Sequence, residues 1–463
     1  MAPTVRRTRP PNTDLVRLIE ASGASHKSLA LRVNRLAQAS GTETDYSHTS
    51  VANWARRGMT PKWPVPKLLA QAIGERLGRP VSLAEIGMAE AETPDADVGL
   101  DFPRHPADAV RVATSFWRSV NRRDLLAGSG FAVSAFATPV TRWLVTPADK
   151  PADHAGGRQV GHSDLDELRE AAEEARRWDS KYGGGNWKAS SVTGCLEQRA
   201  APLLRGSFSD EVGRELFSVT AELSRLAGWT AFDVGQHEAA QRHFIQALRL
   251  ARAGGNVQLG CYVLTTMAMQ SLLRGFASEA VDMAQGAFER AKGQAAPRVL
   301  AFTKLIEARA HARENDPRSA SHALAASENL LSRAEGGCGD EPAWIDFYHH
   351  SRLSADAAEI FRDLKNPQAA LAWNLRAAAM PLEVFTRSVG MRLAIVGTAH
   401  LQARDLDHGL ELGNRSVDIL GRVRSSRALD YVREFSTALA PWRRERSVRE
   451  FQRRTRQELG AVV

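Results

Sequence analysis

Strand-forming sequence is scarce in this chain of 463 residues. No sustained Val/Ile/Thr alternation appears, so a sheet-based fold has little to build on. Cysteine is rarer still. Cys195, Cys261 and Cys338 stand far apart without metal-ligand spacing, which argues against a zinc or disulfide framework and fits a reduced, cytoplasmic protein. No Ser/His/Asp or Cys/His grouping stands above background, so no catalytic residue is assigned. The glycine-rich stretch KYGGGNW at 181–187 lacks the GxxxxGK[ST] order and follows no strand, which leaves it a flexible inter-helix turn rather than a phosphate cradle. His349 and His350 are adjacent instead of four apart, and cannot share a metal on one helical face. Neither a metal nor a cofactor is expected.

Long hydrophobic runs are also missing. The run AGSGFAVSAFA is short, rich in small residues and followed by Pro139, too weak for a membrane span. It follows Asn121-Arg122-Arg123-Asp124-Leu125-Leu126, a sequence with the look of a twin-arginine export signal. Export signals lie at an N-terminus, and here a folded-domain pattern comes first, so a buried helix is the better reading.

What the chain does have is Ala, Leu and Arg in abundance, with 43% apolar residues, enough for two to four domains with real cores. The formal charge of +8 is unevenly placed. Residues 1–90 hold 13 Lys/Arg against 7 Asp/Glu, concentrating positive potential where a polyanion would dock. A second basic run, WRRERSVREFQRRTR, is interspersed with Glu and reads as a solvated helix face.

Residues 1–11 carry Arg6, Arg7 and Arg9 among prolines and read as a disordered basic arm. A compact head follows at 12–90. Asn12 or Thr13 caps a helix with Leu15, Val16, Leu18 and Ile19 inward, and Ser25 caps a second carrying Leu29, Ala30, Val33 and Leu36. After the connection 39–47 a third helix starts near His48. Its Val51 and Trp54 share one face, while Thr49, Ser50, Asn53, Arg56 and Arg57 point elsewhere. Gly58 ends it, and prolines stiffen the entry to a fourth helix, Lys67–Leu77. Residues 91–162 form a linker with a helical segment at 106–145, and the body occupies 163–459.

The body repeats. Taking Gly235 as a turn, steps of 40 reach Gly275 and Asn315, a step of 50 reaches Lys365, and another 40 reaches Asp405, where the match is degenerate. Ala240, Ala280, Ala320 and Ala370 keep the same place after each turn. Two antiparallel helices crossing tightly need Ala or Gly at the contact, and each pair leaves an apolar face that only another pair can bury. That is a helical-hairpin solenoid. Its concave groove would be lined by the first helix of each pair, with Arg225, Trp229, Tyr262, Arg309, His349 and Arg352 as candidates.

Through LALRVNRLA, HTSVANWARRG and Pro61, the head resembles the Cro/C1-type (Xre-like) helix-turn-helix family. The body resembles tetratricopeptide repeats through Gly228, Gly235, Ala240, Phe244 and Ala247, although its step of 40 exceeds the family's about 34 residues. Taken whole, with WDSKYGGG, VSLAEIG and the long repeat at 221–251, the chain is similar to actinobacterial (Streptomyces-type) transcriptional regulators, some linked to sporulation and antibiotic production. The resemblance implies an all-α protein, an N-terminal helix-turn-helix domain followed by a tetratricopeptide-like α-hairpin solenoid. It also implies that helix 48–57 enters a DNA major groove.

In that setting Asn pairs with adenine and Arg with guanine, making Thr49, Ser50, Asn53, Arg56 and Arg57 the readers. Lys27, Arg32, Arg56 or the 6–9 arm would hold phosphates, and Lys62 is either a phosphate clamp or a turn residue. The expected partner is double-stranded DNA, bound by a homodimer reading two half-sites one helical turn apart, in the cytoplasm at the nucleoid. A peptide, a small molecule or another protein would fill the repeat groove. Repression is favoured over activation. The competing reading is a scaffold acting through protein contacts alone.

Overall fold

A computed structural model describes residues 10–39, 44–61, 65–79, 81–83, 85–88, 98–120, 130–145, 149, 158–185, 187–337, 341–377 and 385–460. The arm carrying Arg6, Arg7 and Arg9, Lys62, the Arg122-Arg123 segment and Cys338 lie outside those residues. Among the described residues the protein is all-helical, without strands, and its only extended pairing is an isolated bridge between Gln159 and Ser207. None of the described helices is long and apolar enough to cross a membrane. The chain divides into two compact units, Met1–Asp97 and Val98–Val463.

The first unit contains α1 (Thr13–Ala21), α2 (His26–Ala39), α3 (His48–Arg56) and α4 (Val65–Leu77). Their core is Leu15, Leu18 and Ile19 from α1, Leu29 and Val33 from α2, Val51 and Trp54 from α3, and Leu69 and Ile73 from α4. Asn12 ties the unit's ends together. Its side chain caps α1 by accepting from Leu15 N–H (3.0 Å), its amide donates to Ile86 O (2.9 Å), and its backbone N–H donates to Ala55 O (2.8 Å). Gly87 sits at φ +63° against that side chain, where a Cβ would meet Asn12 Oδ1 at 2.4 Å.

The second unit opens with α5 (Pro106–Val120) and α6 (Ala137–Val145). The sequence placed this segment in a linker; the structure puts Phe116, Trp117, Phe136 and Trp143 in the same core as the repeats. Next come α7 (His162–Tyr182), α8 (Trp187–Cys195) and the single turn α9 (Ala201–Leu203).

Five helical hairpins then stack in a solenoid-like array. They pair α10 (Asp210–Asp233) with α11 (His237–Ala253), α12 (Val257–Leu273) with α13 (Ala277–Ala291), and α14 (Pro297–Arg313) with α15 (Pro317–Glu335). The last two pair α16 (His350–Asp363) with α17 (Pro367–Arg376), and α18 (Thr386–Gln402) with α19 (Leu406–Leu420). Helices α20 (Ser426–Ala438) and α21 (Arg446–Leu459) follow.

The hairpin turns fall at Gly235, Gly275, Asn315, Lys365 and Arg404, each in the left-handed region with φ between +56° and +91°. The fifth turn is therefore centred one residue before the Asp405 expected from the sequence. Ala240, Ala280, Ala320 and Ala370 are all buried, as a tight helix crossing requires. Helix α11 is buried nearly all round because its polar side takes up the segment before α5. Arg242 Nε donates to Val98 O (3.0 Å), Gln246 Nε2 to Gly99 O (2.8 Å) and Arg249 Nε to Pro103 O (2.6 Å).

Candidate functional site

Two places in the molecule carry the residues singled out from the sequence. The first is the outer face of α3. Ser47 and Ser50 form a capping box at its start, in which Ser50 Oγ accepts from Ser47 N–H (3.4 Å). Ser50 is thus half-buried and already engaged. Trp54 anchors the inner face, edge-on to Tyr46 with ring centroids 5.1 Å apart. Thr49, Arg56 and Arg57 are exposed and Asn53 is half-buried.

Among the described residues Arg56 and Arg57 have no ion-pair partner. Lys27 on α2 is exposed in the same way. Arg32 differs from the sequence reading. Its guanidinium grips Glu75 of α4 with two bonds, Nε–Oε2 at 2.7 Å and NH2–Oε1 at 2.9 Å, so it fastens α2 to α4 instead of being held free for a phosphate. The sequence reading also overlooked Asn34. This α2 residue donates to Tyr46 O (2.9 Å) and accepts from Thr44 Oγ1 and Tyr46 N–H (both 3.0 Å), pinning the end of the 39–47 connection.

The second place is a cavity of about 590 Å³ on the inner side of the hairpins. Arg225 and Trp229 of α10, Tyr262 of α12 and Arg352 of α16 all line it, four of the six groove residues named from the sequence. The other two do not. Arg309 is buried beside the cavity, bonded to Glu359 (2.7 Å) and to the Tyr431 hydroxyl (3.1 Å). His349 caps α16, its Nδ1 accepting from Arg352 N–H (3.4 Å), with its ring edge-on to Phe385.

One wall was invisible from the repeat pattern. Between the turns at Asn315 and Lys365, whose spacing is ten residues longer, the chain makes a short 3-10 turn, Ala343–Ile345, which leads on to Tyr348. Trp344 stacks on Tyr262 (4.8 Å, 12° between planes), and Phe347 meets Phe302 edge-on. Tyr348 locks the segment down through a 2.6 Å hydrogen bond with Ser327. The longer step is the only trace this wall leaves in the sequence.

A buried ionic cluster forms part of the cavity wall. Arg387 of α18 bonds Asp179 of α7 and Asp233 of α10 (both 2.8 Å), and Arg427 of α20 bonds Asp233 (3.1 Å). Burial pushes the Asp233 carboxyl up, but the two guanidinium groups outweigh it and hold the group below its usual range. Trp229 Nε1 adds a 3.0 Å bond to Asp179. The glycine stretch after α7 belongs to this cluster and is packed, contrary to the flexible turn expected. Gly184 N–H donates to Asp233 (2.9 Å), Gly185 N–H donates to Arg424 O (3.1 Å), and a Cβ at Gly184 would meet Thr230 O at 2.7 Å.

Elsewhere, the Arg404 turn brings His400, Asp405 and His408 together, their ligand-type atoms all within 4.8 Å of one another. Asp405 also caps α19 by accepting from His408 N–H (3.3 Å), so the turn itself accounts for the grouping.

The class these features define is an all-helical protein with a small separate head and a solenoid-like body enclosing a cavity. Residues 15–89, nearly the whole head, match the family model of the SP15 N-terminal domain. Among curated proteins, none matches the chain.

Proposed function

We propose that the protein is a sequence-specific DNA-binding transcriptional regulator, a repressor in the first instance. In this reading α2 and α3 are the helix-turn-helix pair, and α3 is the helix that lies in the major groove. The tetratricopeptide-like body would pair two chains and receive a signal or partner. One observation carries the proposal. Helix α3 turns Val51, Trp54 and Ala55 inward and leaves Thr49, Arg56 and Arg57 facing solvent, with no intrachain partner for either arginine among the described residues. Lys27, Arg56 and Arg57 are exposed without an ion-pair partner among the described residues and suit a polyanion.

The test is fluorescence anisotropy against genomic fragments selected by the protein itself. Asn53→Ala and Arg56→Ala should each weaken binding to the selected operator by about 1–3 kcal/mol, with helicity and melting temperature unchanged. Wild-type affinity in both variants would remove α3 from the reading role. A protein that shows no salt-dependent DNA affinity but captures a protein partner is the scaffold.

A further inference from the structure

The cavity's arginines are not alike. Arg387 and Arg427 are neutralised by Asp179 and Asp233, Arg352 by Asp356 (2.6 Å), and Arg176 by Glu222. Arg225 has no carboxylate within ion-pair distance among the described residues. It is nevertheless only 3% exposed, and its Nε is buried without a hydrogen-bond acceptor. Among the described residues its guanidinium is compensated by the face of Tyr262, 4.7 Å away.

A buried charge without a counter-ion is costly, and a structure keeps one where something else supplies the anion. Beside this cation lies an aromatic wall, in which Tyr262 is sandwiched between Arg225 and Trp344 and the half-buried Trp344 and Phe347 face the cavity. The volume of about 590 Å³ suits a small molecule.

We propose that the body binds a small planar organic anion, an aromatic ring system bearing a carboxylate, sulfate or sulfonate. The anionic group pairs with Arg225 and the rings lie against Trp344 and Phe347. This names the ligand class for the signal-receiving half of the regulator reading and rests on that reading only for its biological meaning. Binding itself involves the body alone.

Anilinonaphthalene sulfonate and phenylnaphthylamine test it, because they share one ring system and differ in the anion. Titrated into the full-length chain and followed by fluorescence, the sulfonate should bind at one per chain, at least about tenfold more tightly than the neutral amine. Arg225→Met should remove that preference, weakening the sulfonate by about tenfold and leaving the amine within about twofold. The same variant should melt at a higher temperature than the unliganded wild type, because an uncompensated charge has left the interior. Trp344→Ala, on the half-buried wall, should weaken both probes several-fold and provides a second variant should Arg225→Met not fold.

Equal affinity for the two probes, or undiminished sulfonate binding by Arg225→Met, overturns the proposal. Failure here leaves the DNA assay untouched. A chain that takes the sulfonate but ignores DNA keeps this inference and loses the regulator.

Discussion

Gly228 and Gly194 are both helical glycines, and general helix propensity gives Ala the advantage over Gly by about 1 kcal/mol at such positions. Their surroundings separate them. A Cβ on Gly228 of α10 would meet Phe244 of α11 at 2.6 Å, with the ring itself fully buried, whereas nothing lies within 4 Å of one on Gly194 of α8. Gly194→Ala should therefore stabilise by about 0.5–1 kcal/mol, and Gly228→Ala should destabilise by about 1–3 kcal/mol as the crossing is overpacked. Urea denaturation of the two variants measures the contrast.

Titration at single residues is equally specific. Burial alone drives the His243 imidazole from its ordinary 6.5 down to about 3. Glu359 is also depressed, from 4.5 to about 2, because Arg309, Arg362 and Arg313 override the burial that would raise it. In both cases the unfolded chain takes the proton first. The stabilisation is complete above the unfolded value and is lost as pH falls, from 6.5 toward 3 for His243 and from 4.5 toward 2 for Glu359. Between pH 6.5 and 4.5 only the histidine of this pair contributes. His243→Leu should flatten the stability curve there by up to about 1.4 kcal/mol per pH unit, and Glu359→Gln should leave that range unchanged. An unaltered slope in His243→Leu would mean the imidazole is not held neutral.

At the scale of elements, the helix that organises the body is one the repeat pattern does not reveal. Helix α20 lies against the first helices of the first, third, fourth and fifth hairpins. Arg427 reaches Asp233 on α10, Tyr431 reaches Arg309 on α14 and Glu359 on α16 (2.9 Å), and Phe435 presses on Gly397 of α18, where a Cβ would come within 2.9 Å of its ring. Its neighbour in the ionic cluster, Arg387, bridges α7, α10 and α18. Arg387→Met should cost about 3–5 kcal/mol, because Asp179 is left buried without a cation and Asp233 keeps only Arg427. Thermal melts at neutral pH give the measurement, and a loss below about 1 kcal/mol would mean water or Arg427 takes over the role.

Elements were legible where one local rule dictates them. Gly235 and Gly275 mark turns because a left-handed residue is needed there, and the alanines five positions on mark the crossings. Asn315 was reachable by counting. Lys365 and Arg404 carry the same backbone conformation without the residue type that signals it, so the fifth turn came out one residue late. Tertiary choices were not legible. Nothing in the sequence around Arg32 says that it pairs with Glu75 forty-three positions away, or that Gln246 and Arg249 take up carbonyls of 99–103. For the cavity, the rule that first helices line the groove named Arg225, Trp229, Tyr262 and Arg352, but named Arg309 and His349 as well, which do not line it, and it could not reach Trp344 and Phe347, which lie between hairpins.

At the scale of the whole molecule, the two units have separate cores, and positive charge is denser in the first, a net +3 over Met1–Asp97 against +5 over the much longer Val98–Val463, with the acidic stretch 91–97 offsetting part of the head's excess. Residues 1–90 hold a net +6 of the chain's +8, so DNA affinity should reside in the first unit and fall steeply with salt. Each neutralised phosphate contributes a slope of about −0.9 to log K against log salt. Taking Lys27, Arg56 and Arg57 as the cations that meet phosphate, one head gives a slope of about −3 and two heads engaged on one site about −5 to −6. Arg32→Gln should barely move the slope, since that guanidinium is occupied by Glu75, while Arg57→Gln should reduce it by about one per head. Anisotropy titrations from low to physiological salt give the number directly. A slope near −3 that persists at protein concentrations far above the operator would mean the heads act singly, and the body's role would then have to be sought elsewhere than in pairing them. A slope near zero would mean that the exposed cations of α2 and α3 meet no phosphate, and with that the charge asymmetry of the chain would cease to argue for DNA.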